Sequence, residues 1–308
     1  GGTDIPYIYN SIGKGITITA ALDFYVAVGC TSLPLFNGIK LKYSNNETSK
    51  NIDSLIHPIF KEALKFFNYN PLTSDGIEII STASIPSGNG LGSSAAFTTS
   101  LTQCLAKHLN NNEFCKEDLL EISTKIEHRS GNNKIGYQDQ ISSIYGSITK
   151  AKYLKDKIEI EYPSKSWEQG MINLLENKGY LYKTNSRVGI SSNFIGDEDL
   201  SRKIKLYEKV LAIAEKVNIQ NDFFNEDEII EYLTETSILA KSTKVRTQEI
   251  EEIEEKMKNN GAIYSKQLGA GGGGFIFCLF NKTNPDIPID MRPKMFKPKI
   301  VREGTRVL

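Results

Sequence analysis

Apolar residues recur every three or four positions after residue 92, which is the spacing of one face of an α-helix. This face consists of Phe97, Leu101, Cys104, Leu105 and His108. Residues 76–82, which come before it, are rich in β-branched side chains and predict a strand. Glycines and serines occupy the stretch between the two. The predicted order is therefore strand, glycine-rich loop and helix.

The pattern predicts a second helix and a shorter third one downstream. The apolar face of the second helix consists of Cys115, Leu119, Ile122 and Ile126. This helix includes Glu127 in its last turn and ends before Gly131. A short helix over residues 138–146 carries Asp139 near its start. Because these elements are close in the chain, the carboxylates of Glu127 and Asp139 can converge on one point.

Strands and helices also alternate in the second half of the chain. The pattern predicts strands at 157–162 and 180–183, and helices at 200–214 and 226–242. The acidic run at 249–255 predicts a solvated helix surface that ends at Gly261. The apolar run at 275–280 predicts a buried strand. The alternation indicates an α+β protein, and 308 residues suit about two domains, which we place at 1–150 and 151–308.

The loop before the first of these helices has the composition of a phosphate-binding site. The residues assigned to it are Pro86, Gly88, Gly90, Leu91, Gly92, Ser93, Ser94 and Ala95. Glycines let the backbone approach an anion, and the first N–H groups of a helix point toward it. The loop lacks the lysine of the Walker A pattern, so an ordinary tight turn is the alternative. The strand, loop and helix together favour a nucleoside triphosphate as the ligand.

Three segments carry a resemblance to a known family. Residues 85–96 resemble the second motif, P-x-x-x-G-L-G-S-S-A-A, of the GHMP small-molecule kinases. Residues 266–275 are similar to the third motif, and residues 1–4 to the end of the first motif in sugar kinases. The segments follow the family's order along the chain. Since the family's first strand does not precede Gly1, we expect the sequence to be truncated there.

The resemblance implies a fold, two cofactors and a set of site residues. The implied fold joins a ribosomal-protein-S5-like N-terminal domain to a ferredoxin-like C-terminal domain. The implied cofactors are ATP, held by the glycine-rich loop, and Mg²⁺, held by Ser94 and Glu127. The resemblance gives Asp139 the catalytic role of activating the attacking hydroxyl. It also implies four substrate-binding residues, namely Thr3, Asp4, Gly271 and Gly272. Without the resemblance, Glu127 is interpreted as a solvated helix residue and Asp139 as an N-cap.

Within the family, the chain looks most like the D-glycero-D-manno-heptose 7-phosphate kinases. This resemblance implies transfer of a phosphoryl group to the anomeric hydroxyl of a sugar phosphate. Arg187 matches a cation position in those enzymes, whereas Lys244 and Arg246 match less closely. A surface charge remains the alternative for all three residues. The chain departs from the branch at residues 135–137. A kinase for free fucose, galactose or mevalonate is the alternative within the family, and a catalytically silent ATP-binding regulatory protein is the alternative outside it.

Composition limits the partners of this chain. Lys plus Arg and Asp plus Glu number 37 each, so no net charge attracts nucleic acid or a membrane surface. The four cysteines have no C-x-x-C spacing and are expected to be buried free thiols in a reducing, cytoplasmic compartment. The three histidines are scattered along the chain, which argues against a zinc site. The expected partner is a small-molecule sugar or sugar phosphate, and homo-oligomer formation stays open.

Overall fold

The structure is a computed structural model, and it describes residues 1–86, 88–131, 135–155, 157–184, 200–243, 246–269 and 271–308. Helices α1 to α9 are Pro6–Ile12, Pro58–Phe66, Ser93–Asn110, Lys116–Arg129, Gln138–Tyr145, Lys165–Asn173, Leu200–Lys216, Glu226–Thr243 and Gln248–Asn259. Strands β1 to β11 are Lys14–Ala20, Val26–Leu33, Ile39–Lys42, Asn46–Ser49, Gly76–Ala83, Ile148–Leu154, Ile158–Glu161, Gly179–Lys183, Ala262–Gln267, Phe275–Phe280 and Met295–Phe296. The mixture of helices and sheets confirms the predicted α+β class.

The described strands form three sheets. One contains β1, β6 and β7 in that order, with antiparallel pairing throughout. Another has the order β11-β8-β10-β9 and is also antiparallel. The third has the order β2-β5-β3-β4, in which β3 pairs with β5 in parallel. The apolar run at 275–280 is β10, which lies between β8 and β9 as its composition predicts.

The chain divides into two compact units, each assembled from separate stretches. The first unit comprises Gly1–Asp23, Gly88–Leu91 and Ser147–Arg302. The second unit comprises Phe24–Ser87, Gly92–Gly146 and Glu303–Leu308. These units are defined by compactness in space, whereas the boundary near residue 150 refers to sequence domains and stays a prediction.

The core of the second unit explains why α3 and α4 form where the sequence predicts them. Leu101 and Leu105 of α3 and Ile126 of α4 are fully buried, together with Ile77 of β5 and Phe60 of α2. A helix that places an apolar residue every three or four positions buries one continuous stripe in such a core. The helices and the strand that flank the glycine-rich loop are therefore held by ordinary apolar packing.

The core of the first unit has two clusters. The larger is built around Trp167 of α6, Tyr207 of α7 and Ile229 of α8, and the smaller around Ile250 of α9 and Phe280 of β10. The predicted helices at 200–214 and 226–242 are confirmed as α7 and α8.

The acidic run at 249–255 is not wholly solvated, contrary to the prediction. It belongs to α9, and most of its glutamates are exposed, but Glu254 is only 6% exposed. The guanidinium of Arg246 pairs with it at 2.8 Å from Nη2 to Oε2, and Lys241 Nζ lies 3.3 Å from the same oxygen. An ion pair lets this carboxylate lie against the core, which charge patterning alone does not reveal.

The four cysteines are free thiols, but burial was predicted correctly only for Cys278. Cys30 and Cys104 are half-buried, and Cys115 is exposed. Cys115 is the N-cap of α4, and its sulfur accepts a hydrogen bond from the Asp118 N–H at 3.5 Å. A residue at a helix start lies outside the packed stripe, which explains the wrong prediction for Cys115. Among the described residues, none of the helices combines the length and apolar character needed to cross a membrane.

Candidate active site

Helix α3 begins with open backbone amide groups. Its N-cap is Gly92, whose φ of +71° is the left-handed conformation that glycine adopts without strain, and this glycine has no side chain with which to cap the first turn. The first helical hydrogen bond runs from the Ala96 N–H to the Gly92 carbonyl at 3.0 Å. The N–H groups of the three preceding residues have no acceptor within the helix. Such an N-terminus favours an anion, through both its N–H donors and its dipole.

A hydrogen-bonded group of three polar side chains lies beside this first turn. The Ser94 hydroxyl donates to Glu127 Oε1 at 2.6 Å, and the Gln140 amide donates to Glu127 Oε2 at 2.7 Å. Glu127 and Gln140 are 2% and 1% exposed, so both are buried although they are polar. These bonds join α3, α4 and α5 and orient the Glu127 carboxylate. The interpretation of Glu127 as a solvated helix residue is therefore wrong.

Asp139 lies against the start of α3. It occupies the first turn of α5, and a Cβ placed on Gly92 would lie 3.4 Å from both Cβ and Cγ of Asp139. An added Cβ would only touch this side chain, so it is the positive φ at position 92 that disfavours a larger residue. Glu127 and Asp139 thus both border the first turn of α3, which is the convergence that their sequence spacing suggested. Their chemical roles stay predictions.

The donor set around Glu127 suits Mg²⁺. A serine hydroxyl and a carboxylate are hard oxygen ligands, and Mg²⁺ usually takes only one or two such groups from a protein beside water and substrate phosphates. Gln140 Oε1 is buried and has no hydrogen-bond partner among the described residues, so it can accept a bond from a ligand or a water there. The described part of the chain contains no cluster of three or more His, Cys, Asp or Glu side chains suited to a metal.

The remaining loop residues differ in their surroundings. Pro86 and Gly88 are exposed, Leu91 and Ser93 are half-buried, and the side chain of Ala95 is buried in the core. The Asn89 side chain accepts a hydrogen bond from the Leu91 N–H at 2.9 Å. This Asx turn fixes the loop just before α3. Asn89 was not assigned to the site from the sequence, although an asparagine between two glycines is a recognised turn signal.

In the first unit, the glycine-rich turn before β10 packs against Asn89 and Gly90. A Cβ on Gly274 would lie 2.1 Å from the Asn89 carbonyl oxygen, and its φ is +100°. Thr184 holds this glycine through three hydrogen bonds. Its hydroxyl accepts from the Gly274 N–H at 2.8 Å and donates to the Gly274 carbonyl at 3.1 Å, and its own N–H donates to the same carbonyl at 2.9 Å. Gly271 and Gly272 are buried within the same turn. Their predicted contact with substrate stays a prediction.

Thr3 stabilises the fold of the first unit through its hydrogen bonds. This geometry gives no support to the predicted contact between Thr3 and substrate. Its side chain is fully buried, its hydroxyl donates to the Ile16 carbonyl at 2.8 Å and it accepts from the Ile16 N–H at 2.6 Å. The single hydroxyl hydrogen is thus already donated to β1. We therefore leave Thr3 out of the proposed substrate site.

Asp4 lies close to two buried phenols. Burial raises the pKa of Tyr153 well above its usual value, and the negative charge of Asp4 raises it further. Burial also raises the pKa of Tyr207, with a smaller contribution from Asp4. Both phenols therefore stay protonated at neutral pH. Asp4 remains the candidate for contacts with sugar hydroxyls.

Tyrosines from distant parts of the chain hold the segment around Thr3, and sequence reasoning missed them. The Tyr207 hydroxyl donates to the Thr3 carbonyl at 2.7 Å, and the Tyr232 hydroxyl donates to the Gly1 carbonyl at 2.6 Å. Both residues lie on helices where their spacing predicts only apolar packing. Only tertiary structure brings their hydroxyls to this segment.

The predicted cations give a mixed result. Arg187 and Lys244 lie outside the described residues. Arg246 forms two hydrogen bonds to the buried Glu254, at 2.8 and 3.4 Å, and its Nε lies 3.5 Å from Glu251. Its guanidinium therefore pairs within the protein, and we do not assign Arg246 to substrate.

Comparison with known proteins matches two segments of this chain to the domains of one family. Residues 58–147 match the GHMP kinases N terminal domain, and residues 221–290 match the GHMP kinases C terminal domain. The D-glycero-alpha-D-manno-heptose 7-phosphate kinase of Campylobacter jejuni is 25% identical over 313 residues, which cover 92% of this chain and 86% of that relative.

Two solved structures show the same fold. A D-glycero-D-manno-heptose 1-phosphate kinase from Bacteroides thetaiotaomicron has a TM-score of 0.70 at 16% identity, with 100% of this chain and 95% of the other covered. The mevalonate kinase of Methanococcus jannaschii has a TM-score of 0.68 at 19% identity, with 96% and 94% covered. With both family domains matched in order and the fold shared, this chain belongs to the GHMP kinases, a family of small-molecule phosphotransferases.

Proposed function

We propose that this protein transfers the γ-phosphoryl group of ATP to the anomeric hydroxyl of D-glycero-D-manno-heptose 7-phosphate. The observation that carries the phosphoryl-transfer assignment is the position of Asp139 against an uncapped helix start, beside the bonded group of Ser94, Glu127 and Gln140. An anion-binding helix start, hard oxygen ligands and a carboxylate are the parts that phosphoryl transfer needs.

Asp139 acts as the general base in this proposal. Its carboxylate orients the sugar hydroxyl and accepts the hydroxyl proton as the bond to phosphorus forms. Such a base typically contributes about 10² to 10⁴ in rate. The first N–H groups of α3 hold phosphate oxygens and stabilise the charge that develops on them. Because the transition state is loose, positioning and electrostatic stabilisation make up most of the catalysis.

Ser94 and Glu127 hold Mg²⁺ in this proposal, and Gln140 keeps the Glu127 carboxylate oriented. When bound, Mg²⁺ neutralises phosphate charge and lowers the barrier to transfer. A hydrogen-bonded partner behind a metal-binding carboxylate commonly matters for metal affinity, which is the role given to Gln140.

The choice of substrate rests on similarity and on one residue of the first unit. The alignment with the heptose 7-phosphate kinase relative covers most of both chains, so the similarity extends beyond the three motifs. Asp4 provides a carboxylate of the kind that accepts hydrogen bonds from sugar hydroxyls. Arg187 is our candidate for the 7-phosphate, on its sequence position alone.

A direct test compares acceptors with the full-length protein, MgCl₂ and ATP. ADP release is measured with D-glycero-D-manno-heptose 7-phosphate, the unphosphorylated heptose, fucose, galactose and mevalonate. We expect the heptose 7-phosphate to give the highest kcat/KM, and phosphorus NMR to locate the new phosphate at the anomeric carbon. A higher kcat/KM for any other acceptor would reject heptose 7-phosphate as the substrate but would still support kinase activity.

A mevalonate kinase is the second candidate, because the mevalonate kinase fold matches nearly the whole chain. Turnover of mevalonate in the same panel would favour it. ATP binding without turnover of any of these acceptors would instead favour a silent nucleotide-binding protein and contradict the proposed chemistry.

A further inference from the structure

Two cysteines of the second unit lie next to each other although they are far apart in sequence. Cys30 of β2 and Cys104 of α3 are separated by 74 positions, and their Sγ atoms are 3.1 Å apart. A disulfide bond is about 2.05 Å long, so the sulfurs need to approach by roughly a further 1 Å. Both side chains are half-buried, which leaves a small oxidant access to them.

A second contact beside the thiols shows that the packing of β2 on α3 sets their position. The Ser32 hydroxyl and His108 Nε2 form a hydrogen bond at 3.2 Å. Ser32 is two positions after Cys30 on the strand, and His108 is four positions after Cys104 on the helix, so each pair shares one face of its element. These two contacts at corresponding positions indicate that β2 and α3 pack against each other in one fixed alignment.

The two thiols are chemically unequal. The hydrogen bond between the two thiols lowers the pKa of Cys104, although burial opposes this effect. The same hydrogen bond, together with burial, raises the pKa of Cys30 far above its usual value. Cys104 is therefore the sulfur that ionises first, and a thiolate is the form that reacts with oxidants.

We propose that Cys30 and Cys104 are a modification site that forms a reversible disulfide when the protein meets hydrogen peroxide. Cys104 sulfur attacks one peroxide oxygen, the O–O bond breaks, and water leaves as Cys104 becomes a sulfenic acid. Cys30 sulfur then attacks the Cys104 sulfur, the S–O bond breaks, and a second water carries away the hydroxyl and the remaining proton. The two sulfurs together lose two electrons, which reduce the peroxide.

The bond would tie β2 to the helix whose first turn carries Ser94. It would cross-link two elements that are distant in the chain, and a thiol reductant would reverse it. This site does not depend on the proposed sugar kinase activity, so its test uses no substrate.

The test treats the reduced full-length protein with hydrogen peroxide, blocks remaining thiols with iodoacetamide and analyses intact mass and peptides. We expect a mass loss of about 2 Da before alkylation, a linked peptide pair containing Cys30 and Cys104, and recovery of both thiols with dithiothreitol. Cys115 is the matched control, since it is exposed and its sulfur accepts a hydrogen bond from the Asp118 N–H. The Cys115→Ser variant should form the same link.

Two outcomes would overturn the proposal. One is a peroxide-treated wild-type protein in which Cys30 and Cys104 are both alkylated, or oxidised singly without a link. The other is a link that joins Cys115 or Cys278 instead. The Cys104→Ser variant should lose the intramolecular link, and because the wild-type peptide map already decides the question, misfolding of that variant would not obscure it.

Discussion

Two buried glutamates in this protein have opposite surroundings. Glu127, near the end of α4, is 2% exposed and accepts hydrogen bonds from the neutral side chains of Ser94 and Gln140. Glu254, within α9, is 6% exposed and pairs with the cations of Arg246 and Lys241. The first carboxylate is hydrogen-bonded to the first turn of α3, whereas the second lies in an ion pair within the first unit.

The difference separates an oriented carboxylate from a structural ion pair. A hydroxyl and an amide hold a carboxylate in place without adding a positive charge, which suits a ligand of a metal ion. An arginine and a lysine neutralise the carboxylate from within the protein, which lets it be buried as part of the fold. The burial of an acidic residue therefore indicates its role only when the hydrogen-bond donors around its carboxylate are also known.

The largest effect is expected for Asp139→Asn, next to Gln140. Turnover should fall by about 10² to 10⁴ because the substitution removes the proposed general base. ATP affinity and melting temperature should stay near the wild-type values, as measured by calorimetry. Asp118→Asn is the control, since Asp118 is also in the first turn of a helix but is exposed. If Asp139→Asn retains wild-type turnover, Asp139 is not the base.

The next largest effect is expected for Glu254→Gln. The substitution leaves the largely buried Arg246 without its main anion, and the free energy of unfolding in urea should fall by about 3 kcal/mol. Turnover at a temperature where the variant is folded should stay within about twofold, since the pair is structural. Glu252→Gln, at an exposed position of the same helix, should change stability by less than about 0.5 kcal/mol. A selective rise in KM for the sugar phosphate would instead make Arg246 a substrate residue.

A smaller effect is expected for Gln140→Met, which removes the amide donor to Glu127 Oε2. The Mg²⁺ concentration for half-maximal rate should rise about tenfold, the lower end of the range for partners of metal ligands. Gln103→Met is the matched control, because Gln103 is also a buried glutamine but bonds to the backbone of Phe114. That control should lose stability and keep its Mg²⁺ dependence. The same Mg²⁺ shift in both variants would reject the role given to Gln140.

The smallest effect is expected for Lys241→Met. Lys241 is the more exposed partner of Glu254, with 47% of its side chain accessible. Exposed pairs contribute less than about 1 kcal/mol, so urea unfolding should shift by no more than that. A loss as large as that of Glu254→Gln would show that the lysine, not the arginine, neutralises the buried carboxylate.

The sequence predicted the elements around the candidate site because their signals are local. The apolar spacing on Leu101 and Leu105 predicted α3, and that on Leu119 and Ile126 predicted α4. The glycines before α3 predicted an anion-binding loop, and the structure adds the uncapped helix start at Gly92. Periodicity and turn chemistry depend on neighbours in the chain, so one sequence suffices to read them.

Contacts between distant residues were the part that the sequence could not predict. The sequence around Gln140 does not show that its amide donates a hydrogen bond to Glu127. The sequence around Thr3 likewise does not show that the Thr3 hydroxyl donates to the Ile16 carbonyl. The ion pair with Arg246 likewise allows Glu254 to be buried although it belongs to a run of charged residues. Each of these depends on how separate elements pack, which overrides local pattern.

The most direct test of this account is ATP affinity measured by calorimetry over a series of MgCl₂ concentrations, with Glu127→Gln and Glu254→Gln beside the wild type. This measurement needs no knowledge of the sugar. We predict that Glu127→Gln raises the half-saturating Mg²⁺ concentration by about tenfold or more, whereas Glu254→Gln leaves it within about twofold and lowers only stability. An unchanged Mg²⁺ dependence in Glu127→Gln, or an equal shift in both variants, would contradict the account.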